Sequence, residues 1–423
     1  MKLNEFLQQV TSFIRSREAK IEVEKELTQH LKQAKKAWLA QGYSEDEAEH
    51  RAVAQMGSAT TLGQSLNKLH KPKVDWLIVV PIGLLLMLSF LPLLAVDLQY
   101  KSMLIERNFI YILLTIMMIT GLMLFDVRKV KNYGYYFYAA GIGLMLLIMC
   151  FPNLIVNGES MLRVGPLRLH VWYTLPLFCI AWAALFSKKS MKIWQAIVLA
   201  GFAFILIANI PNVPVLFIFS VMTFVMLLCG TFSKREKIVA ATLILGTVVA
   251  FFISIFIMAK KGILAPYQLA RINGFLQPEM YMDTSGYLYV KFSSIIENAN
   301  WIGGNKIQGL SPEAHTDFVF AHLIQSYGFA LALFIAALLL FVLIRIGIQS
   351  FSKPQTFSKL LVMGVLTLFA TQVVYAIAMT FGVVPLVSIP LPFISYGLTP
   401  MLLNACIIGV CLSVFRRKSY IFI

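Results

Sequence analysis

The chain has 423 residues, of which 59% are hydrophobic and 13% charged, and its mean hydropathy is +0.77. So much apolar surface cannot be hidden in one water-soluble core, and lipid must be the solvent for most of it. Lys and Arg outnumber Asp and Glu by 36 to 20. In so apolar a chain that excess belongs in cytoplasmic loops facing anionic lipid, which argues against a nucleic-acid groove.

Residues 1–72 differ from everything that follows. Ile21, Val23, Leu27 and Leu31 make a helical pattern that Gly42 breaks. Ser44 then stands as an N-cap with Glu47 three residues on, which predicts a second helix running to about Met56 and stopping at Gly57. The segment begins with alternating charge and has neither an apolar h-region nor a small-residue cleavage site, so it is not a signal peptide and is expected to stay cytosolic. It reads as a small helical docking or folding module, similar in pattern and length to the prefix domains found before some bacterial membrane permeases and sensors. A short basic tether with Lys68, His70, Lys71 and Lys73 joins it to the first span.

From residue 73 the chain is read as a transmembrane domain running to residue 423. Apolar runs near 76–95, 108–125, 134–151, 171–186, 191–209, 213–231, 236–258, 317–346, 358–381 and 399–415 alternate with short polar punctuation. A span needs about 20 apolar residues. The predicted fold is therefore all-α, a polytopic membrane protein of about ten transmembrane helices with a small soluble helical N-terminal domain. The basic clusters Arg128-Lys129-Lys131, Lys188-Lys189-Lys192, Lys234-Arg235-Lys237, Lys353-Lys359 and Arg416-Arg417-Lys418 all fall on the side of the N-terminus if the spans number ten. Both termini are then predicted cytoplasmic. Cys150, Cys179, Cys229, Cys406 and Cys411 lie inside apolar runs without CxxC spacing and read as packing residues.

The segment from Lys260 to Thr316, between helices 7 and 8, is the large extracytoplasmic loop, much too long for a simple connection. Pro266-Tyr267, Arg271, Phe275, Trp301, Gly303 and Gly304 mix aromatic anchors with turn formers, which predicts short interfacial helices. At its end Ser311-Pro312-Glu313-Ala314-His315-Thr316-Asp317-Phe318 runs directly into an apolar helix. Taken alone, Thr316 or Asp317 reads as a cap for that helix.

These residues also carry a family likeness. Pro266-Tyr267, Arg271-Ile272, Phe275-Leu276, Pro278-Glu279, Ser285-Gly286-Tyr287 and Pro312-Glu313-Ala314-His315-Thr316-Asp317-Phe318 with Phe320-Ala321 form the first block. Ile389-Pro390-Leu391-Pro392-Phe393-Ile394-Ser395-Tyr396-Gly397, before the last helix, forms the second. Together they resemble the SEDS family of shape, elongation, division and sporulation proteins, the relatives of FtsW, RodA and SpoVE. The likeness runs from about Asp75 to the C-terminus, includes Asp126 and leaves out the prefix. It implies a peptidoglycan glycosyltransferase of the bacterial cell membrane that uses lipid II as donor and acceptor, beside a transpeptidase (penicillin-binding protein) partner. It implies Asp317 as the catalytic residue, with Arg271, Lys291, His315, Thr316, Ser395 and Tyr396 as substrate-binding residues. The chemistry needs a base near the acceptor hydroxyl and cationic help for the departing pyrophosphate, and Asp317 with Arg271 and Lys291 are the groups expected to supply them. His315 reads as a structural hydrogen bonder, since nothing beside it in sequence is placed to tune its pKa. No cofactor is implied with certainty, and a divalent cation is left open.

The chain departs from the family at several polar positions. Asn157-Gly158-Glu159-Ser160-Met161-Leu162 lacks the family's Arg-Trp pair, His170-Val171-Trp172-Tyr173 stands for Gln-Pro-Ser-Glu, and Pro211-Asn212-Val213-Pro214-Val215 has an amide for a carboxylate. Gly309, Gln325 and Ser326 replace acidic residues. These losses keep a second class of function in view: a non-catalytic binder or translocator of polyprenyl-linked precursor. An ion-coupled transporter is a weaker third, because the spans carry few intramembrane charges.

Overall fold

The computed structural model describes residues 2–14, 17–69, 74–95, 100–156, 159–164, 167–210, 212–262, 266–304, 314–351 and 356–416. His70, Lys71, Lys73, Asn157-Gly158, Pro211, Gly309, Ser311-Pro312-Glu313, Lys353, Arg417 and Lys418 lie outside the described residues. Contacts divide the chain into two compact units, Met1–Asp75 with Phe415–Ile423, and Trp76–Val414.

The N-terminal segment holds four helices, α1 (Leu3–Ser12), α2 (Arg17–Leu39), α3 (Glu45–Gln55) and α4 (Ala59–Leu69). The Ser44 hydroxyl accepts the Glu47 N–H while the Glu47 carboxylate accepts the Ser44 N–H, the reciprocal box that the sequence predicts at the start of α3. The helix ends at Met56, and Gly57 takes φ +79°, where any other residue would be strained. Phe6, Leu7, Val10, Val23, Leu31, Ala52, Val53 and Leu66 make one small core. Ile21 is corrected: at 61% exposed it is no part of that core. It precedes Val23 by two positions, and a 100° step per residue turns it to the far side of α2.

In the second unit, α5 (Trp76–Leu88) and α6 (Phe90–Ala95) form the first span, followed by α7 (Lys101–Leu124) and α8 (Gly134–Cys150). A three-stranded antiparallel meander comes next: β1 (Leu154–Val156), β2 (Glu159–Val164) and β3 (Leu167–Leu169). Then come α9 (Thr174–Phe186), α10 (Ile193–Ala208), α11 (Val213–Cys229) and α12 (Lys234–Lys260). Two short helices, α13 (Pro266–Leu276) and α14 (Tyr287–Glu297), occupy the large loop. The chain closes with α15 (Val319–Tyr327), α16 (Phe329–Phe351), α17 (Thr356–Thr380) and α18 (Leu398–Arg416).

Among the described residues, six helices are long and apolar enough to cross a membrane, and the segments ending in α9, α10 and α11 are shorter apolar helices. The 27-residue α12, whose charges all sit at its two ends, completes the pattern of ten apolar helices read from the sequence. α17 and α18 bury 61% and 72% of their apolar stretches, whereas α7 and the α8 span bury 22%. The first pair is thus central. The second turns Phe109, Leu113, Met117 and Leu146 outward, which only a lipid surround tolerates over such an area. α9 is buried along its whole length. Trp182 stacks on Phe186 at 5.0 Å and gives its indole N–H to Thr223 Oγ1 at 3.0 Å, so its one polar atom is satisfied inside the bundle.

The predicted eighth span, 317–346, is corrected. α15 is a separate nine-residue helix, and Gly328, at φ +87°, turns the chain before α16 begins at Phe329. The free N–H groups of Phe329 and Ala330 are taken by the carbonyls of Asn300 and Trp301, at 3.1 and 3.0 Å, so the large loop itself closes the start of α16.

Candidate active site

The large loop builds one wall. Phe275 on α13 meets Tyr289 on α14 at 5.8 Å, and Phe292 on α14 is buried edge-on against Phe318 at 5.2 Å. α14 therefore holds the end of the His315-Thr316-Asp317-Phe318 motif from behind. Residues 314–318 are turns, and the N-cap position of α15 is Phe318, which offers no side-chain cap. The motif thus runs directly into α15, as the sequence predicts, and the expectation that Thr316 or Asp317 takes the cap position is corrected to Phe318.

The second motif folds as a tight turn ahead of α18. Ser395 donates its N–H to Leu391 O at 3.1 Å, and its Oγ accepts the Leu391 N–H at 2.8 Å. Phe393 takes φ +62°, the one positive φ outside glycine among the described residues, and its ring is buried against Phe369. Such strain survives only where the surroundings over-determine it, and it concentrates at functional sites. The turn delivers Tyr396, whose N–H donates to the carbonyl of His315 at 3.0 Å and whose ring lies 5.6 Å from the imidazole. Two motifs some eighty residues apart in sequence thus meet edge to edge.

A cavity of about 220 Å3 opens at this meeting. Thr316, Asp317 and Tyr396 line it, with Pro390 from the second block, Ser388 just before it, and Thr399 and Pro400 from the start of α18. Met161 of β2, His170 and Trp172 close it from the meander side. Tyr173 donates its hydroxyl to Thr399 Oγ1 at 3.3 Å, which ties that side to α18. Asp317 is the one carboxylate among the cavity-lining residues.

The remaining residues singled out in the sequence lie elsewhere. Ser395 is buried, with its hydroxyl used inside the turn. Arg271 is exposed on α13. Lys291 lies on α14, where its ammonium bonds the Tyr287 hydroxyl at 3.1 Å and sits over that ring. The cavity lining brings together Thr316, Asp317 and Tyr396, and it does not include Arg271 or Lys291. Arg107 of α7, missed in the sequence, has hydrogen-bond reach to the Tyr396 hydroxyl, as does Tyr111. Arg107 lies one residue before the predicted 108–125 span and inside the observed α7, where a cation is expensive.

A family model described as "Cell cycle protein", that of FtsW, RodA and SpoVE, matches residues 71–420. The chain belongs to the FtsW/RodA/SpoVE family. Its relatives include the probable peptidoglycan glycosyltransferase FtsW of Coxiella burnetii, 26% identical over 363 residues that cover 80% of this chain and 95% of that protein. Stage V sporulation protein E of Bacillus subtilis is 27% identical over 309 residues, covering 65% of this chain and 79% of the relative. Among solved structures, a chain of a peptidoglycan synthase complex that coordinates polymerization and crosslinking matches with a TM-score of 0.67, at 22% identity over 82% of this chain and 98% of its own. Rod shape determining protein RodA of Thermus thermophilus gives 0.57, at 17% identity over 82% and 97%. At these identities the structures establish a shared fold. As an FtsW/RodA/SpoVE family member the protein is a multi-pass bacterial membrane protein.

Electrostatics at the family motif follow from burial. His315 is buried, which lowers its pKa, and the nearby charge of His322 lowers it further. The imidazole is neutral at pH 7, and its tuning comes from packing invisible to the local sequence. The Tyr396 hydroxyl is pushed up to about 12, first by burial and then by Tyr111, against the opposing pull of Arg107. It stays a neutral donor and acceptor beside Asp317. One prediction follows from His315. An unfolded histidine takes up a proton near pH 6.5, and the buried one resists it, so stability is complete above about pH 6.5 and declines below. Detergent-solubilised protein should melt at a lower temperature at pH 5.5 than at 7.5, and His315→Gln should show a shallower decline. Equal slopes for the two proteins would remove His315 from the account.

Proposed function

We propose that this chain is a peptidoglycan glycosyltransferase that polymerises lipid II, with Asp317 as general base. One observation carries the reading: Asp317 and Thr316 of the first motif share a cavity with Tyr396 and Pro390 of the second. In the reaction the acceptor hydroxyl oxygen attacks the donor's anomeric carbon and its proton passes to the Asp317 carboxylate. The glycosidic bond forms as the bond to pyrophosphate breaks, and the polyprenyl pyrophosphate leaves with both electrons. Base catalysis of this kind is worth about 10²–10⁴-fold. Tyr396, held near Arg107, is assigned to hydrogen bonding at the sugar, and Thr316 to the same surface. Arg271 and Lys291 are assigned to the part of a long substrate that extends past the cavity. Ser395 acts through the turn that presents Tyr396. A divalent cation accompanying the pyrophosphate would find a single lining carboxylate, and no step here is routed through one. A transpeptidase is the proposed partner, as the structural neighbour's synthase complex couples polymerization with crosslinking. Labelled lipid II incubated with the purified protein should yield glycan strands.

The loop must then face outward, with both termini in the cytoplasm. In a cysteine-free background, Ile302→Cys, at a loop position 84% exposed, should react with an impermeant thiol reagent in intact cells and Ser187→Cys should not. The reverse labelling would invert the topology.

The same cavity supports a second reading. Met161, His170 and Trp172 stand on the wall where the family's Arg-Trp and Gln-Pro-Ser-Glu groups are expected, which suits a protein that holds a lipid-linked precursor without reacting it.

A further inference from the structure

The meander between α8 and α9 places two arginines against each other. Its second ladder pairs Leu162 with Leu169, Arg163 with Arg168 and Val164 with Leu167. Residues directly opposite in an antiparallel ladder project to the same face with Cβ atoms about 5 Å apart. Both side chains are exposed. The pair is also aimed by the alternation of the strands. Arg163 lies two residues after Met161 on β2, and Arg168 lies two residues before His170, which is itself extended at φ −114°, ψ 150°. Residues i and i+2 of an extended chain share a face, about 7 Å apart. Met161 and His170 both line the Asp317 cavity. Each arginine is therefore one step along the strand from a cavity wall, on the wall's own face.

The backbone at this point is fixed. Arg163 donates its N–H to Asn153 Oδ1 at 2.6 Å, and Asn153 Nδ2 returns a bond to Arg163 O at 2.8 Å. Asn153 also donates its own N–H to Met161 O at 3.3 Å. One asparagine thus locks the segment that carries both the wall residue and the first arginine. Two exposed guanidinium groups on one face and in a locked register, beside a cavity whose lining contains no Arg or Lys, make a fork for an anion with several oxygens.

We infer that Arg163 and Arg168 form an anion subsite at the cavity mouth that takes the diphosphate of the polyprenyl-linked substrate. The inference deepens the proposed function and rests on it for the substrate's identity. The chemistry it states is a phosphate ester held by two guanidinium groups, and an anionic phospholipid headgroup is the other source of that group. The subsite compensates in part for the Arg-Trp pair that the sequence lacks at 161–162, from a position two residues further along the strand.

The test uses the full-length protein in nanodiscs of phosphatidylcholine, with and without phosphatidylglycerol, and fluorescent lipid II as probe. Arg163→Gln and Arg168→Gln should each weaken lipid II binding roughly tenfold, the loss expected for a charged hydrogen-bond partner. The double variant should bind at least as weakly as either. The double variant should melt as wild type does, which separates lost binding from lost folding. Arg163→Lys with Arg168→Lys should recover part of the affinity, as point charges without the planar fork. If the glutamine variants bind lipid II normally but lose co-purified phosphatidylglycerol, the subsite stands and its source is the headgroup. If both probes bind the double variant as they bind wild type, or if wild type binds neither, the subsite is overturned. Failure of the proposed function has a separate signature: wild type makes no glycan from lipid II, whatever the arginines do to binding.

Discussion

Asp317→Asn is expected to give folded, membrane-inserted protein of near-normal thermal stability that polymerises lipid II about a hundredfold or more slowly than wild type. That ratio corresponds to about 2.7 kcal/mol of lost transition-state stabilisation. A cap works through hydrogen bonds to free backbone N–H groups, and asparagine keeps a side-chain oxygen for them. A base works only as the ionised carboxylate, which asparagine lacks. The structure sharpens the contrast, because the N-cap position of α15 belongs to Phe318 while Asp317 lines the cavity beside Tyr396. If wild type and Asn variant polymerise equally well, Asp317 is structural. If neither polymerises while both bind the lipid with similar affinity, the cavity wall of Met161, His170 and Trp172 was the better guide, and the chain holds precursor without reacting it.

Much of this architecture was legible in the sequence because its signals are local or compositional. Ser44, Glu47 and Gly57 mark both ends of α3 through bonds made within a few residues, and the apolar runs mark the helices within a few positions of their ends except at the starts of α7 and α16. The elements that escaped depend on packing. α1 and α4 are ten and eleven residues long, too short to be stable alone, and exist because Phe6, Val10 and Leu66 share a core with α2 and α3. Two strands of the meander have three residues each, too few to show a period of two. Asn157-Gly158 is the local hairpin signal in the sequence there. The candidate site divides in the same way. Asp317, Thr316 and Tyr396 follow from motifs, whereas Thr399 reaches the cavity, and Arg107 the Tyr396 hydroxyl, only because α18 and α7 are brought there by the fold. Arg271 and Lys291 share the large loop with the motif, yet α13 and α14 place them outside the lining.

Gly328→Ala is expected to lower both stability and glycan synthesis, and a second glycine supplies the control. Gly328 holds φ 87°, ψ 173°, a region essentially confined to glycine, and forcing another residue there costs about 1–3 kcal/mol. The added Cβ would also stand 2.8 Å from Asn300 O and 2.9 Å from Trp301 O. Neither carbonyl can retreat freely, because they accept the first N–H groups of α16 from Phe329 and Ala330. Displacing them weakens two hydrogen bonds, each worth about 1 kcal/mol, at a junction one short helix away from Asp317. Gly382, at φ +69°, has nothing within 4 Å of a built Cβ, so Gly382→Ala bears only the conformational cost of about 1–2 kcal/mol. Thermal melting in detergent should therefore rank wild type above Gly382→Ala and Gly382→Ala above Gly328→Ala. Glycan synthesis should fall further in Gly328→Ala, since α15 hangs between that junction and the motif that carries the base. Equal melting temperatures for the two variants would mean that the Asn300 and Trp301 carbonyls yield without loss, and that the break between α15 and α16 does not hold Asp317 in place.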